Sequence, residues 1–285
     1  MAMSNVTDDR LKQCELAMLK AFISVCEQLG LRYYLVEGTL LGAIRHQGFI
    51  PWDDDIDVAM PREDYERFLH EAQALLPAYY FVQSLYSEPA YHANFAKIRD
   101  CRTTFIESSV KERPINHGVY IDIFPIDYVP QSTFIRKLIK VVDRICMIRI
   151  SQVFTLPCPQ MSLVRSAKKN IGRLVSYLCF PRLRHAVSAQ KQLYTAFRKG
   201  TLVINYGSAW SNRERMPVEW YGAGTTMTFE GLPVCVPAEY DKWLTQVYGD
   251  YMTPPPPEKR VGHHFAEVID VERPYTDYTQ KKDMN

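Results

Sequence analysis

Helical and strand-like hydrophobic patterns alternate along the first third of the chain. Apolar residues recur at helical spacing over residues 8–29, and Gly30 marks the predicted end of this helix. The β-rich stretch 31–36 predicts a strand, and "LLGAIRHQG" predicts a short helix closed by Gly48. "DIDVAM" predicts a second strand, which leads into a helix that begins with Pro61 and early acidic residues.

Along the remainder of the chain, the hydrophobic pattern changes twice between strand-like and helical. Strand-like segments lie at 79–85, 94–100 and 118–127. Residues 131–200 are mostly helical in pattern, with breaks at 155–160 and Pro181, and short strands return at 220–237 before a short helix and "PPPP". The sequence therefore predicts an α/β (α+β) fold with a mixed central sheet flanked by helices. We divide it into a core at 1–130, a basic helical insertion at 131–215 and a C-terminal segment at 216–285.

Charge is spread unevenly although the formal net charge is only +2. Residues 131–200 contain fourteen Lys or Arg and one acid, Asp143, whereas the remainder has twenty bases and thirty-one acids. Such asymmetry predicts a polyanionic partner. We predict an anionic membrane rather than nucleic acid, because no zinc-finger or aromatic RNA-binding signature is present. The apolar stripe expected to face the membrane comprises Phe134, Leu138, Ile139, Val142, Ile145, Cys146 and Arg149.

Other features of the whole sequence bear on where in the cell the protein is located. The chain has no apolar run of about 18 residues and no pattern of a signal peptide, so neither a membrane span nor secretion is predicted. Its seven cysteines are scattered and never spaced as CxxC, which favours a reducing compartment. We expect a cytoplasmic protein that contacts the inner face of the cell membrane peripherally.

Four aspartates lie within "IPWDDDIDVAM", residues 50–60. In an extended chain, alternate side chains share a face, so Asp55 and Asp57 point together, Asp53 continues that face and Asp54 points away as a structural residue. Asp122, within the strand-like "YIDIF", supplies a further carboxylate. Burying such charges unpaired costs several kcal/mol (roughly) each, and an all-oxygen pocket suits Mg²⁺ or Mn²⁺. The alternative is a turn after Pro51-Trp52 with Asp122 as a cap.

These segments resemble the LicD family of phosphotransferases, relatives of the fukutin-related enzymes with a polymerase-beta-like nucleotidyltransferase fold. The resemblance rests on "GTLLGAIRHQGFIPWDDDIDVAMPREDYERF", "KIRD", "YIDIFPID" and "FEGLPVCVPAEYDKWLTQVYGDYMTPPPPEKRVGHH". It implies transfer of a phospho-substituent, typically phosphocholine from CDP-choline, to a hydroxyl of a cell-surface glycan, teichoic acid or lipopolysaccharide precursor. CMP is the implied leaving group.

The resemblance also implies roles for individual residues. Asp55, Asp57 and Asp122 would be the catalytic metal carboxylates with Asp53 as an extra ligand, while Gly38 and Thr39 would approach the phosphates of the nucleotide. Candidates for holding phosphate oxygens are Arg45, Lys97, Arg99, Lys259, Arg260, His263 and His264. His263, His264 and Asp53 are alternatives for the general base, which stays unassigned. Aromatic residues available to a choline ammonium are Tyr33, Tyr34, Trp52, Tyr120, Phe124, Trp210 and Trp220.

Three rival interpretations remain open. The donor is another CDP-linked compound, such as a CDP-alditol or a phosphoethanolamine donor, or the reaction is nucleotidyl transfer. A non-enzymatic alternative is a catalytically silent, membrane-associated assembly protein. The absence of a Walker loop and of a GxGxxG fingerprint disfavours P-loop and Rossmann enzymes.

Overall fold

The computed structural model describes residues 5–151, 163–208, 210–260 and 266–279. The helices are α1 (Asn5–Leu29), α2 (Glu37–His46), α3 (Arg62–Glu71), α4 (Thr133–Ser151), α5 (Leu163–Cys179), α6 (Leu183–Thr195), α7 (Tyr240–Tyr248) and α8 (Thr276–Thr279). The strands are β1 (Tyr34–Leu35), β2 (Asp57–Pro61), β3 (Tyr80–Gln83), β4 (Ala96–Asp100), β5 (Thr104–Glu107), β6 (Val119–Tyr128), β7 (Leu202–Ile204), β8 (Met216–Pro217), β9 (Thr225–Phe229), β10 (Leu232–Val236) and β11 (Ala266–Asp270).

A mixed sheet of seven strands organises the fold and confirms the predicted α+β class. Five strands run in the order β1-β2-β6-β4-β3, and β7 and β8 continue from the C-terminal part of β6. Among the strand pairs that the described residues form in this sheet, only β2–β6 is parallel. β6 is the long central strand, and nine of its ten residues are buried, in agreement with its mostly apolar sequence.

Helices α1 and α3 contribute apolar side chains to the core that covers the sheet. Leu11, Met18 and Phe22 recur along α1 and are fully buried, and Phe68 of α3 packs against Phe22 with ring centroids 5.3 Å apart. The periodic apolar face of α1 is therefore its packing face, as the sequence pattern predicted.

The C-terminal segment returns to the aspartate-rich loop through the β9–β10 hairpin. Glu230 and Gly231 form its two-residue turn with φ values of 49° and 76°, the positive values that a type I′ turn requires. The Glu230 amide donates to Gln47 O (2.9 Å), and Glu230 Oε1 accepts a hydrogen bond from the Phe49 amide (3.1 Å). These contacts fix the chain immediately before the aspartates.

Several local predictions were wrong. α2 ends with Gln47 in the left-handed conformation (φ 57°) rather than at Gly48. The pairing of β5 with β11 was not predicted, because neither segment has a clear alternating pattern. The segment 131–215 is not wholly helical either, since its strand β7 pairs with β6 of the core.

The stripe predicted to face a membrane on α4 is exposed at Phe134 and Leu138 but not along its whole length. Ile139, Cys146 and Arg149 are buried, and Cys146 packs in a cluster with Ala186 of α6. Arg149 donates from Nε to the carbonyl oxygen of Phe180 (3.0 Å), so this arginine also points inward. Within the described residues, every helix is too short or too polar to span a bilayer.

Candidate active site

The pairing of β2 with β6 brings the predicted carboxylates together. Asp57 begins β2 and lies directly beside Asp122 of β6, with Asp55 two residues before Asp57. One carboxylate oxygen from each of these three residues lies within 4.8 Å of one from each of the others. Asp57 and Asp122 are both buried. The sequence hypothesis of a shared carboxylate pocket therefore agrees with the geometry.

Asp53 and Asp54 belong to an adjoining group. Carboxylate oxygens of Asp53, Asp54 and Asp55 also lie within 4.8 Å of one another, so Asp54 does not point away as alternation predicted. The reason is that residues 53–56 precede β2 without strand geometry, and alternation applies only to an extended strand. All four aspartates of the loop thus contribute to one acidic region.

Gly38 lies against this acidic region. A Cβ atom at position 38 would lie 2.5 Å from Asp53 Oδ2, so a larger residue would displace that carboxylate. The sequence hypothesis placed a phosphate of the nucleotide beside Gly38. In the structure a carboxylate of the chain itself lies there, at the N-terminal turn of α2, where an anion is favoured.

Thr39 contacts the backbone of the site rather than its carboxylates. Its Oγ1 accepts a hydrogen bond from the Asp57 amide (2.8 Å), and both residues are buried. This bond fixes the start of β2 relative to α2. The geometry therefore favours a positioning role for Thr39 rather than direct contact with phosphate.

Electrostatic repulsion is concentrated on Asp57. Burial raises the pKa of Asp57 well above its ordinary value, and the negative charges of Asp55, Glu37 and Asp122 raise this pKa further. A nearby cation would favour the ionised form of a carboxylate in such surroundings. The protein thus has a strong local requirement for positive charge.

Lys97 provides part of this charge. Lys97, Asp122 and Asp57 face one another across β4, β6 and β2, and Lys97 Nζ lies 2.6 Å from Asp122 Oδ1. The ammonium group also lies 3.4 Å from the ring centroid of Tyr120. Because Lys97 is buried, it is part of the carboxylate cluster rather than a solvated surface lysine.

The carboxylates open into a cavity of about 740 Å³. Seven of the predicted site residues line it, namely Gly38, Arg45, Asp53, Asp55, Asp57, Asp122 and Lys259. Three of the predicted aromatic residues, Trp52, Phe124 and Trp210, line it together with Phe95, Tyr248 and Tyr251. The cavity therefore joins an acidic floor to basic and aromatic walls.

The basic wall is held by backbone contacts. Arg45 donates to Tyr251 O (2.7 Å), and Arg260 donates to Pro255 O (2.8 Å). The Arg260 guanidinium lies 5.3 Å from the ring centroid of Trp52. Burial and the charge of Arg260 lower the pKa of Arg45, which indicates that two cations converge at this rim.

Other predicted residues lie elsewhere. Arg99 is fully buried, donates to Gln83 Oε1 (2.8 Å) and Gly118 O (2.7 Å), and does not line the cavity. The first bond joins β4 to β3 and the second joins β4 to the residue before β6, so the geometry favours a structural role for Arg99. Residues His263 and His264 lie outside the described residues.

The sequence interpretation missed two buried glutamates, Glu37 and Glu214. Glu37 lines the cavity with a strained φ of 49°, and its Oε1 has no hydrogen-bond partner among the residues that the structure describes. Burial and the charge of Glu214 raise the pKa of Glu37 well above its ordinary value. Glu37 was detectable as the charged residue before Gly38, but Glu214 carries no local signal because only the fold brings it close.

Glu214 is expected to make stability depend on pH. Burial raises its pKa from 4.5 to about 7, although the hydroxyl of Ser208 donates to its carboxylate. The native state therefore binds more protons than the unfolded state between pH 4.5 and 7, so stability decreases as pH rises through this window. Glu214→Gln should remove up to about 3 kcal/mol of this decrease.

Urea unfolding at several pH values in EDTA measures this effect. Glu219→Gln, a change of the same kind at an exposed position, should leave the pH dependence as in the wild type. Parallel pH profiles for the wild type and Glu214→Gln would show that Glu214 ionises normally.

The donor set fits a hard divalent cation. Asp55, Asp57 and Asp122 offer carboxylate oxygens only, and their mutual repulsion is the condition that Mg²⁺ or Mn²⁺ relieves. No sulfur or imidazole ligand accompanies them in either acidic group found in the described residues. The arrangement is of the kind that binds and positions phosphate esters through a metal.

Comparisons with known proteins identify relatives of this chain. The family model described as "LicD/FKTN/FKRP, nucleotidyltransferase domain" matches residues 30–164. The lipopolysaccharide cholinephosphotransferase LicD of Haemophilus influenzae is 34% identical over 262 residues, covering 89% of this chain and 94% of that protein. The ribitol 5-phosphate transferase FKRP of Homo sapiens is 50% identical over 42 residues, covering 15% of this chain and 8% of that protein. Because the similarity extends along nearly the whole chain, this protein belongs to the LicD family.

Proposed function

We propose that this phosphotransferase moves phosphocholine from CDP-choline to a hydroxyl of a cell-surface glycan, a teichoic acid or a lipopolysaccharide precursor. The observation that carries the proposal is the convergence of Asp55, Asp57 and Asp122 at the floor of the cavity. Its similarity to the cholinephosphotransferase LicD of Haemophilus influenzae supports this choice of donor.

The bonds that change define the reaction. The acceptor oxygen forms a bond to the phosphorus that carries choline, and the bond from that phosphorus to the bridging oxygen breaks. CMP leaves with the bridging oxygen, and the acceptor hydroxyl loses its proton. Phosphoryl transfer of this kind depends mainly on positioning and on neutralising charge.

The chain has residues for both tasks. Asp55, Asp57 and Asp122, with Asp53 as an additional ligand, would hold Mg²⁺ or Mn²⁺, which supplies positive charge to the diphosphate. Arg45 and Lys259 line the same cavity and are available to bind phosphate oxygens. Lys97 holds Asp122 in place through its 2.6 Å contact.

The aromatic wall suits a choline head group. Trp210 and Tyr248 pack edge to face with centroids 5.0 Å apart, and both line the cavity beside Trp52. Aromatic faces attract a quaternary ammonium through their quadrupoles. We assign the choline to this aromatic wall and the nucleotide phosphates to the acidic floor and the basic wall.

A second donor is favoured by a specific observation. The similarity to the ribitol 5-phosphate transferase FKRP makes a CDP-alditol the principal alternative to CDP-choline. An alditol phosphate has hydroxyl groups and no cation, so it would gain little from the aromatic wall. The two donors therefore make opposite predictions for the aromatic residues.

The reaction products separate these possibilities. The purified protein is incubated with MgCl₂, purified lipopolysaccharide or teichoic acid, and CDP-choline, CDP-ethanolamine or CDP-ribitol, with CTP as a fourth substrate. We expect CMP release with CDP-choline, choline retained on the glycan, and no reaction in EDTA. Pyrophosphate release from CTP would instead indicate nucleotidyl transfer.

The aromatic wall gives a matched control. Trp210→Leu should weaken use of CDP-choline more than use of CDP-ribitol, while Trp220→Leu, which does not line the cavity, should affect neither. If none of the CDP-linked donors binds in calorimetry with Mg²⁺, the proposed function is wrong.

A further inference from the structure

The C-terminal part of helix α5 presents apolar side chains outward. Ile171, Leu174 and Leu178 lie at helical spacing on one stripe and are 62%, 61% and 73% exposed. On the opposite side, Ser176 is fully buried and Gly172 approaches Ile148 of α4. An amphipathic helix of a globular protein normally turns its apolar stripe inward, so this orientation leaves an apolar surface that the described part of the chain does not cover.

Helix α4 also exposes an apolar stripe near its N-terminus. Phe134, Leu138 and Val141 share a stripe and are 77%, 54% and 56% exposed. They lie apart from the stripe that α4 buries against α6. The exposed positions Lys137 and Arg144 lie beside the outward stripe. Apolar residues with adjoining basic residues are typical of helices that lie in a membrane interface.

The surrounding charge is complementary to anionic lipids. Asp143 is the only acid among residues 131–200, and its carboxylate accepts hydrogen bonds from the Tyr194 hydroxyl and from Gln190 Nε2 (2.9 Å). Its carboxylate therefore faces α6, on the side of α4 opposite the outward stripe, and does not lie among the outward basic residues. The fourteen basic residues of the segment provide a large excess of positive charge.

A small basic cavity lies beside the outward stripe of α4. Its volume is about 180 Å³, and its lining includes the basic side chains Arg136, Lys137, Lys140 and Arg215. A lipid phosphate offers the oxygen ligands that such a group of cations binds. The cavity and the exposed apolar residues thus favour the same partner.

We propose that the outward faces of α4 and α5 form a docking surface for an anionic lipid bilayer. This lipid-docking surface consists of Phe134, Leu138, Val141, Ile171, Leu174 and Leu178, with Lys137 and Arg144 contacting lipid phosphates. It shares Phe134 and Leu138 with the stripe that the α4 pattern alone suggested, but it excludes the buried part of that stripe. The inference is independent of the donor and acceptor of the transfer reaction.

Sedimentation with vesicles tests the surface. The full chain is mixed with phosphatidylcholine vesicles or with vesicles of phosphatidylcholine and phosphatidylglycerol at 7:3. We expect the wild type to sediment with the anionic vesicles only, and 0.5 M NaCl to reduce the bound fraction because it screens charge. Leu174→Ser with Leu178→Ser, and Lys137→Glu with Arg144→Glu, should each reduce binding at least about tenfold.

A matched control and a measurement of oligomeric state separate lipid docking from self-association. Leu75→Ser changes an exposed leucine (42%) outside the surface and should bind like the wild type. Wild-type protein that stays in the supernatant with anionic vesicles would overturn the proposal. So would a wild-type dimer in sedimentation velocity that Leu174→Ser with Leu178→Ser converts to a monomer, because the surface would then be an interface between copies.

Discussion

Replacing Asp57 with asparagine is expected to reduce transfer on the order of 10³-fold while the fold is retained. Asparagine has nearly the same shape, and the hydrogen bond from the residue 57 amide to Thr39 Oγ1 involves only the backbone of residue 57. The substitution removes a negative charge from between Asp55 and Asp122. Loss of that charge weakens cation binding and leaves the diphosphate less neutralised.

The same substitution should stabilise the protein when divalent cations are absent. Because burial and neighbouring charges raise the pKa of Asp57 in the native state, ionised Asp57 destabilises the fold above the ordinary pKa of aspartate. Asp57→Asn should therefore raise the free energy of unfolding by at least about 1 kcal/mol at pH 8 in EDTA. The gain should disappear near pH 3, where the wild-type carboxyl is protonated in both states.

Activity and urea unfolding on one preparation measure both effects. Asp9→Asn makes the same chemical change at an exposed position of α1 and should alter neither quantity. An Asp57→Asn variant that transfers phosphocholine at the wild-type rate would exclude Asp57 from the site.

The carboxylate pocket was predictable because its signal is local. Asp57 and Asp122 each interrupt an apolar strand. The simplest explanation for a charge in each of two buried strands is that the strands pair and their carboxylates share one pocket. Asp54 was not predictable in the same way, since the alternation rule fails in the irregular loop before β2. The contact of Glu37 with Glu214 depends on how β7 and the following turn return to the core, which no periodicity encodes.

The face of α4 illustrates a different limit of sequence interpretation. A helix with two apolar stripes shows the same periodicity whichever stripe is buried. On α4 the stripe through Ile139 and Cys146 packs inward, and the stripe through Phe134 and Leu138 is exposed. The choice depends on the position of α6, which the pattern of α4 does not specify.

Replacing Lys97 with methionine is expected to lower the free energy of unfolding by about 3 kcal/mol in EDTA. The side chains of Lys97 and Asp122 are each only 7% exposed, and Nζ lies 2.6 Å from Oδ1. Methionine fills similar space but leaves the Asp122 carboxylate buried beside Asp55 and Asp57 without this ammonium. Removing one partner of a buried ion pair costs far more than removing one at the surface.

Lys191→Met is the matched control for this measurement. Lys191 Nζ lies 2.6 Å from Glu66 Oε2, the same separation, but the Lys191 side chain is 37% exposed, so its loss should cost at most about 1 kcal/mol. Added MgCl₂ should raise the urea midpoint of Lys97→Met more than that of the wild type, because the cation then neutralises a larger excess of negative charge. Equal losses for the two variants, or equal responses to Mg²⁺ in Lys97→Met and the wild type, would mean that Lys97 does not balance the charge of the carboxylate cluster.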